Sequence, residues 1–291
     1  MLPAAADHVG PSAGAVGEGT ATGPVAVPIR PLQFRELLDL PFALIQTRIR
    51  TLAALYAVAV AVAAGVAVGM TVVVSIATGG SDSGTFWGAL VVTLICAWTL
   101  RMFVRGTTVP LGLAVVHGKP ASWRGALQQL AAEAGALLGY QVMYTLVGVG
   151  VLLLGTPLII TLPLAAIWLL WLRARKFTLL PVVFDESATY RPAALRAKIL
   201  AAGSEWQLVG LLLYLRGLMV VLIVPLLALW QTVSGVSGTH RWTVTVLVIV
   251  FALFVIALGE MVESATQVVV YVDKRCRREA WDITVPGEVT R

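Results

Sequence analysis

The sequence predicts an all-α fold: a polytopic bundle of six transmembrane helices, preceded by an amphipathic interfacial helix, with both termini in the cytoplasm. Composition and one pattern carry that prediction. Of 291 residues, 58% are hydrophobic and 12% charged, and mean hydropathy is +0.88. This leaves little room for a separate aqueous domain, which needs ~100 residues or more. The pattern is an alternation of apolar segments, each near the ~20 residues that cross hydrocarbon, with basic connections.

Residues 1–28 are rich in Ala, Gly, Pro and Val and contain no Lys or Arg. They lack the cationic start of a signal peptide and read as a disordered cytoplasmic tail. Residues 29–50 form the interfacial element. Phe34, Leu37, Leu38, Phe42, Ile45 and Ile49 recur at three- and four-residue spacings, other faces carry Arg35, Glu36, Asp39, Gln46 and Arg48, and Pro41 predicts a bend.

The transmembrane domain, 51–273, divides into spans at 51–77, 86–104, 136–154, 157–172, 207–230 and 242–272, followed by a basic tail at 274–291. Nineteen of the 21 basic residues fall before the first span, at the second connection (counting Arg101 at the inner end of the span before it), in the fourth connection, or after the last span. Because positive charge is retained in the cytoplasm, that side is inside, and an odd number of spans would destroy the asymmetry. The expected location is therefore a bacterial plasma (inner) membrane, with anionic inner-leaflet lipids as partners and no role for nucleic acid.

In the first span Ala57, Ala61, Gly65 and Gly69 form a ladder at every fourth position, a face suited either to packing inside the bundle or to a homo-oligomer seam. Gly155, Thr156 and Pro157 break a long apolar run into a tight outer hairpin. The fourth span is short before Arg173. It either tilts little or continues inward through Phe177 to Phe184 with its arginines snorkelling. Both inner connections follow one plan, a proline (Pro110, Pro181) and then a short helix containing Ala126 and Leu127 or Ala194 and Leu195, which suggests a parallel repeat.

Three charged residues fall deep inside spans: Arg216 lies ten residues past Trp206, Glu263 ten residues before Asp273, and Glu260 one turn deeper. At ~1.5 Å per residue the three meet near the midplane, as a buried ionic lock or as a cavity for a headgroup, ion or proton. With two carboxylates against one arginine, the second reading expects one acid free to titrate. At the cytoplasmic end Asp273, Lys274, Arg275, Arg277 and Arg278 are candidates for docking lipid heads or a protein partner. Asp185 and Glu186 read as a cap for the helix near 192–203. Cys96 and Cys276 are expected to be reduced, and the scattered His8, His117 and His240 assemble no metal site. With no hydrolase or nucleotide motif either, no metal, cofactor or catalysis is expected.

Three patches resemble the membrane domain of the glycerophosphoryl diester phosphodiesterase family and its stand-alone actinobacterial relatives. They are Arg30-Pro31-Leu32 with Glu36-Leu37-Leu38-Asp39 and Phe42; Pro181-Val182-Val183 with Glu186 and Ala194-Leu195; and Tyr271-Val272-Asp273-Lys274-Arg275-Cys276-Arg277-Arg278-Glu279. The last is the most specific. Without the phosphodiesterase barrel, the resemblance implies a six-helix membrane module in envelope or lipid biology rather than a hydrolase. Two functions are expected from these readings. The first is a non-catalytic accessory or scaffold component acting through a membrane or cytoplasmic protein partner. The second is a carrier or binder of a lipid or small anionic solute at Arg216, Glu260 and Glu263.

Overall fold

The computed structural model describes residues 27–156, 161–237 and 241–281, and among these every regular element is a helix. The disordered tail expected at 1–28 lies, but for its last two residues, outside the described residues, as does the basic tail beyond residue 281. The chain begins with α1 (Phe34–Thr47), α2 (Ile49–Ala77) and α3 (Asp82–Val116), and continues through α4 (Trp123–Ala132) and α5 (Ala134–Gly155). It goes on through α6 (Leu162–Ala174), α7 (Leu179–Glu186), α8 (Tyr190–Ala201), α9 (Glu205–Ser237) and α10 (Arg241–Glu279).

Four helices, α2, α3, α5 and α10, are long and apolar enough to cross a membrane, and α8 with the start of α9, meeting at 101°, makes a fifth candidate. The fourth expected span is the shortfall. Its helix, α6, has 13 residues, ~20 Å of rise against ~30 Å of hydrocarbon. The chain then breaks at 175–178 and resumes as α7. The proposed repeat shares its order of elements in both halves, but Pro110 lies inside the unbroken α3 whereas Pro181 lies inside the separate α7.

The longest helices, α3 (35 residues) and α10 (39 residues), exceed the ~20 residues a crossing needs, and at one end they enter a packed layer with α1, α4, α7 and α8. From Glu260 to Lys274 every residue of α10 is buried, as is every residue of α3 from Val104 to Leu113. The core therefore sits at the end that carries both described termini. The other ends of the helices present apolar side chains outward, among them Val58, Val62, Ile76, Leu94 and Leu153.

α1 lies against this layer through Leu37, Pro41, Leu44 and Ile45, while Phe34 and Ile49 are exposed. α2 packs through Tyr56, Val60, Ala64, Ala67, Thr71 and Ser75. Packing of the small-residue ladder inside the bundle is thus corrected: Ala57, Ala61, Gly65 and Gly69 are all exposed, and a Cβ added at Gly65 or Gly69 would meet nothing within 4 Å. The physical reason is the polar content of the opposite face. Tyr56 Oη donates to the Val104 carbonyl (3.3 Å) and lies beside Thr107 and Thr108, which turns that side of α2 to α3.

Candidate functional site: a buried cluster of arginines and glutamates

α10 presents Glu260 and Glu263 one turn apart toward α3, whose Arg101 and Arg105 are likewise one turn apart. Arg105 is completely buried. Its Nε donates to Glu260 (2.5 Å), its Nη2 to Glu263 (2.6 Å) and its Nη1 to the Tyr140 hydroxyl (3.0 Å). Arg216 on α9 reaches the other oxygen of Glu263 (2.5 Å). Arg101 Nε stands 2.9 Å from Glu260, but the alignment misses hydrogen bonding, so Nε and Nη2 of Arg101 are buried without an acceptor among the described residues.

α5 closes the site with an i, i+4 row of Tyr140, Tyr144 and Gly148. It is held to α3 by a hydrogen bond from Trp98 Nε1 to Thr145 (3.0 Å). The Tyr144 ring carries three guanidiniums, Arg173 at 4.0 Å, Arg101 at 4.3 Å and Arg105 at 5.1 Å from its centroid. Such cation–π contacts contribute about 0.5 to 2 kcal/mol each. Arg173 comes from α6 and passes close to Gly148, where a Cβ would sit 3.2 Å from its Nη2. Its Nε also lacks an acceptor among the described residues.

Four arginines therefore face two glutamates. The sequence reading of two carboxylates against one arginine is corrected, because Arg101, Arg105 and Arg173, assigned there to connections, turn into the bundle. The signal for Arg105 is the uncharged run from Gly106 to Val116 after it: a helix that stays apolar for another eleven residues has not yet ended. Glu260 pairs with Arg105 and Arg101 rather than with Arg216. Tyr56, level with Val104, is seven residues into α2, so the cluster lies ~10 Å from the start of that helix, nearer the terminal-bearing end than the midplane.

The charged end of α10 is occupied internally. Asp273, fully buried, accepts the Leu32 N–H (2.8 Å) and Arg277 Nε (2.8 Å), and the buried Lys274 lies 3.3 Å from it. Arg275 donates to Asp185 (2.8 Å) and Glu279 (3.1 Å) and lies over Trp281. Arg277 also donates to the Leu32 carbonyl, and Arg278 to the Ala202 carbonyl. Of the docking candidates, Asp273 and Lys274 are buried and out of reach, whereas Arg277 and Arg278 stay exposed while the set straps the lead into α1, the end of α7 and the end of α8 onto α10. Asp185 and Glu186 end α7 and pair with Arg275 and Arg196 instead of capping α8, whose N-cap is Thr189. Among the described residues no group of His, Cys, Asp and Glu could hold a metal.

Among the described residues, the fold and cluster define an all-helical architecture of multi-pass membrane type that buries paired arginines and glutamates between its helices. Comparison with family models, curated proteins and solved structures finds no match.

Proposed function

We propose that this chain is a non-catalytic inner-membrane protein with six crossings and both ends in the cytoplasm. In this reading the arginine-rich cluster binds the phosphate or carboxylate of a lipid or small anionic solute. The carrying observation is the surplus: four arginines, two glutamates, and guanidinium donors on Arg101 and Arg173 that no described acceptor satisfies. An arginine fork matches the paired oxygens of phosphate or carboxylate, and the low dielectric strengthens the contact. Arg216, whose side chain is 41% exposed, is the mouth through which an anionic head enters sideways from the lipid.

The sixth crossing is supported by the alternation of basic connections along the sequence, which an odd number of spans would destroy. The gathering of short helices and basic side chains at one end supports cytoplasmic termini. The family resemblance, kept as a proposal, agrees with a role in envelope or lipid biology. An accessory role through a protein partner is the alternative, and the exposed small-residue face of α2 with the exposed Arg277 and Arg278 supports it.

The test is native mass spectrometry from lipid nanodiscs, wild type beside Arg216→Ala. A lipid or small anion retained by the wild type and lost from the variant is expected. A stoichiometric protein companion present in both, with no retained anion, would overturn the binding reading and restore the accessory one.

A further inference from the structure

On the other side of the α5–α6 pair, α8 covers a groove of about 470 Å³. Four cations line it, Arg175, Lys176, Arg191 and Lys198, and no acidic residue does. Arg175 Nε is buried without an acceptor among the described residues. Lys176 spends one of its protons on Tyr190 Oη at 3.3 Å, which leaves two to offer. Arg191 and Lys198 are exposed and belong to no ion pair among the described residues. The rest of the lining is apolar, including Met143, Leu172 and Leu195.

The groove's position decides what kind of anion suits it. α8 turns 101° from α9, so where α9 stands across a membrane α8 lies in its plane. α8 is built for that place: Ala193, Ala197 and Leu200 face the protein, whereas Leu195 and Ile199 are exposed, 65% and 57%, beside an equally exposed Trp206. A basic rim over an apolar floor at an interfacial helix matches an amphiphile, not a free ion.

We propose that this groove holds an anionic phospholipid. Its headgroup phosphates lie among Arg175, Lys176, Arg191 and Lys198, and an acyl chain lies over Met143 and Leu195. Four cations with no counter-charge favour a headgroup with two phosphates over one with a single negative charge. The site is separate from the intramembrane cluster and shares no side chain with it.

The probe is cardiolipin in phosphatidylcholine nanodiscs, with bound lipid counted by native mass spectrometry and folding checked by melting temperature. Each basic side chain near a membrane surface contributes about 1 kcal/mol toward anionic lipid, ~5-fold in affinity. Arg191→Gln with Lys198→Gln is therefore expected to hold cardiolipin roughly 30-fold more weakly at unchanged melting temperature. Leu195→Gln is expected to weaken cardiolipin retention while leaving any binding of inorganic phosphate unaltered. Arg216→Ala is expected to keep this lipid. The inference is overturned if the double variant retains cardiolipin as the wild type does, if phosphatidylcholine is held equally well, or if inorganic phosphate displaces the lipid while Leu195→Gln changes nothing, which would make it a site for a soluble anion.

Discussion

Arg105→Leu is the substitution that tests the energetics of the cluster most directly. The guanidinium has no exposed surface and bridges both carboxylates and the Tyr140 hydroxyl. Breaking a buried ion pair from one side costs about 3 to 5 kcal/mol, because the other charge stays buried. Here each carboxylate keeps a second arginine, Arg101 for Glu260 and Arg216 for Glu263, so the lower end of that range, about 3 kcal/mol, is expected. Leucine fills most of the vacated volume, which limits any added cavity cost. Adding Glu263→Gln removes the second orphan, so the double variant is expected to lose at least about 1 kcal/mol less than the two single losses combined, the mark of a shared network. The assay is reversible unfolding in mixed micelles titrated with SDS, followed by tryptophan fluorescence. A loss below about 1 kcal/mol for Arg105→Leu, or strict additivity in the cycle, would refute the claim that Arg105 holds α3 to α10.

Four further outcomes follow from positions outside the cluster. Gly112→Val is expected to cost about 1 to 3 kcal/mol through overpacking, because even a Cβ there meets Val268 at 3.2 Å and Leu44 at 3.3 Å. Gly65→Ala and Gly69→Ala, with open space around them, should be neutral or stabilising by up to about 1 kcal/mol in the same unfolding assay; a clear loss would place a second protein on that face. Asp273→Asn removes the charge that accepts from Leu32 and Arg277, so limited proteolysis should cut the lead into α1 faster, and an unchanged rate would count against the strap. Glu36 accepts the Gln33 N–H and pairs with Arg30, and its pKa lies below the usual carboxylate value, first because of that backbone bond. Its contribution to the start of α1 is therefore fully present above the unfolded carboxylate pKa and is lost as pH falls through the lowered folded value. Backbone carbon shifts of the first turn should report this acid transition, and Glu36→Gln should abolish it.

Much of the fold was legible because hydropathy and charge report on the membrane as solvent. α2, α5 and the apolar part of α10 are continuous runs between charged ends, and no soluble alternative suits them. The layer at the terminal-bearing end was harder to read, since its helices obey no single pattern. α10 between Glu260 and Lys274 mixes Ser264, Thr266, Gln267 and Asp273 with valines and is buried on every side, a surrounding that only tertiary contact creates. The ladder on α2 misled because a four-residue period of small side chains marks a smooth face without saying what meets it. The hydroxyls of Tyr56, Thr71 and Ser75 on the opposite face were the better guide to burial. The cluster was half legible: Glu260, Glu263 and Arg216 stand alone in apolar runs, while Arg101, Arg105 and Arg173 sit where the positive-inside rule expects basic residues and so drew no notice.

Two of those arginines, Arg101 and Arg173, favour the proposed binding site over a lock. A lock that joins α3, α9 and α10 is electrically complete with Arg105, Arg216 and the two glutamates, which balance. Arg101 and Arg173 then add two positive charges that structure alone does not require. Each uncompensated charge at hydrocarbon depth costs about 2.5 to 3.5 kcal/mol on insertion scales. Stacking on Tyr144 offsets part of this at most, since one ring serves these two guanidiniums and Arg105 besides. An anion seated between Arg101, Arg173 and Arg216 would neutralise the excess and fill the open donors of the first two, which is why the surplus, more than the ion pairs, carries the functional reading.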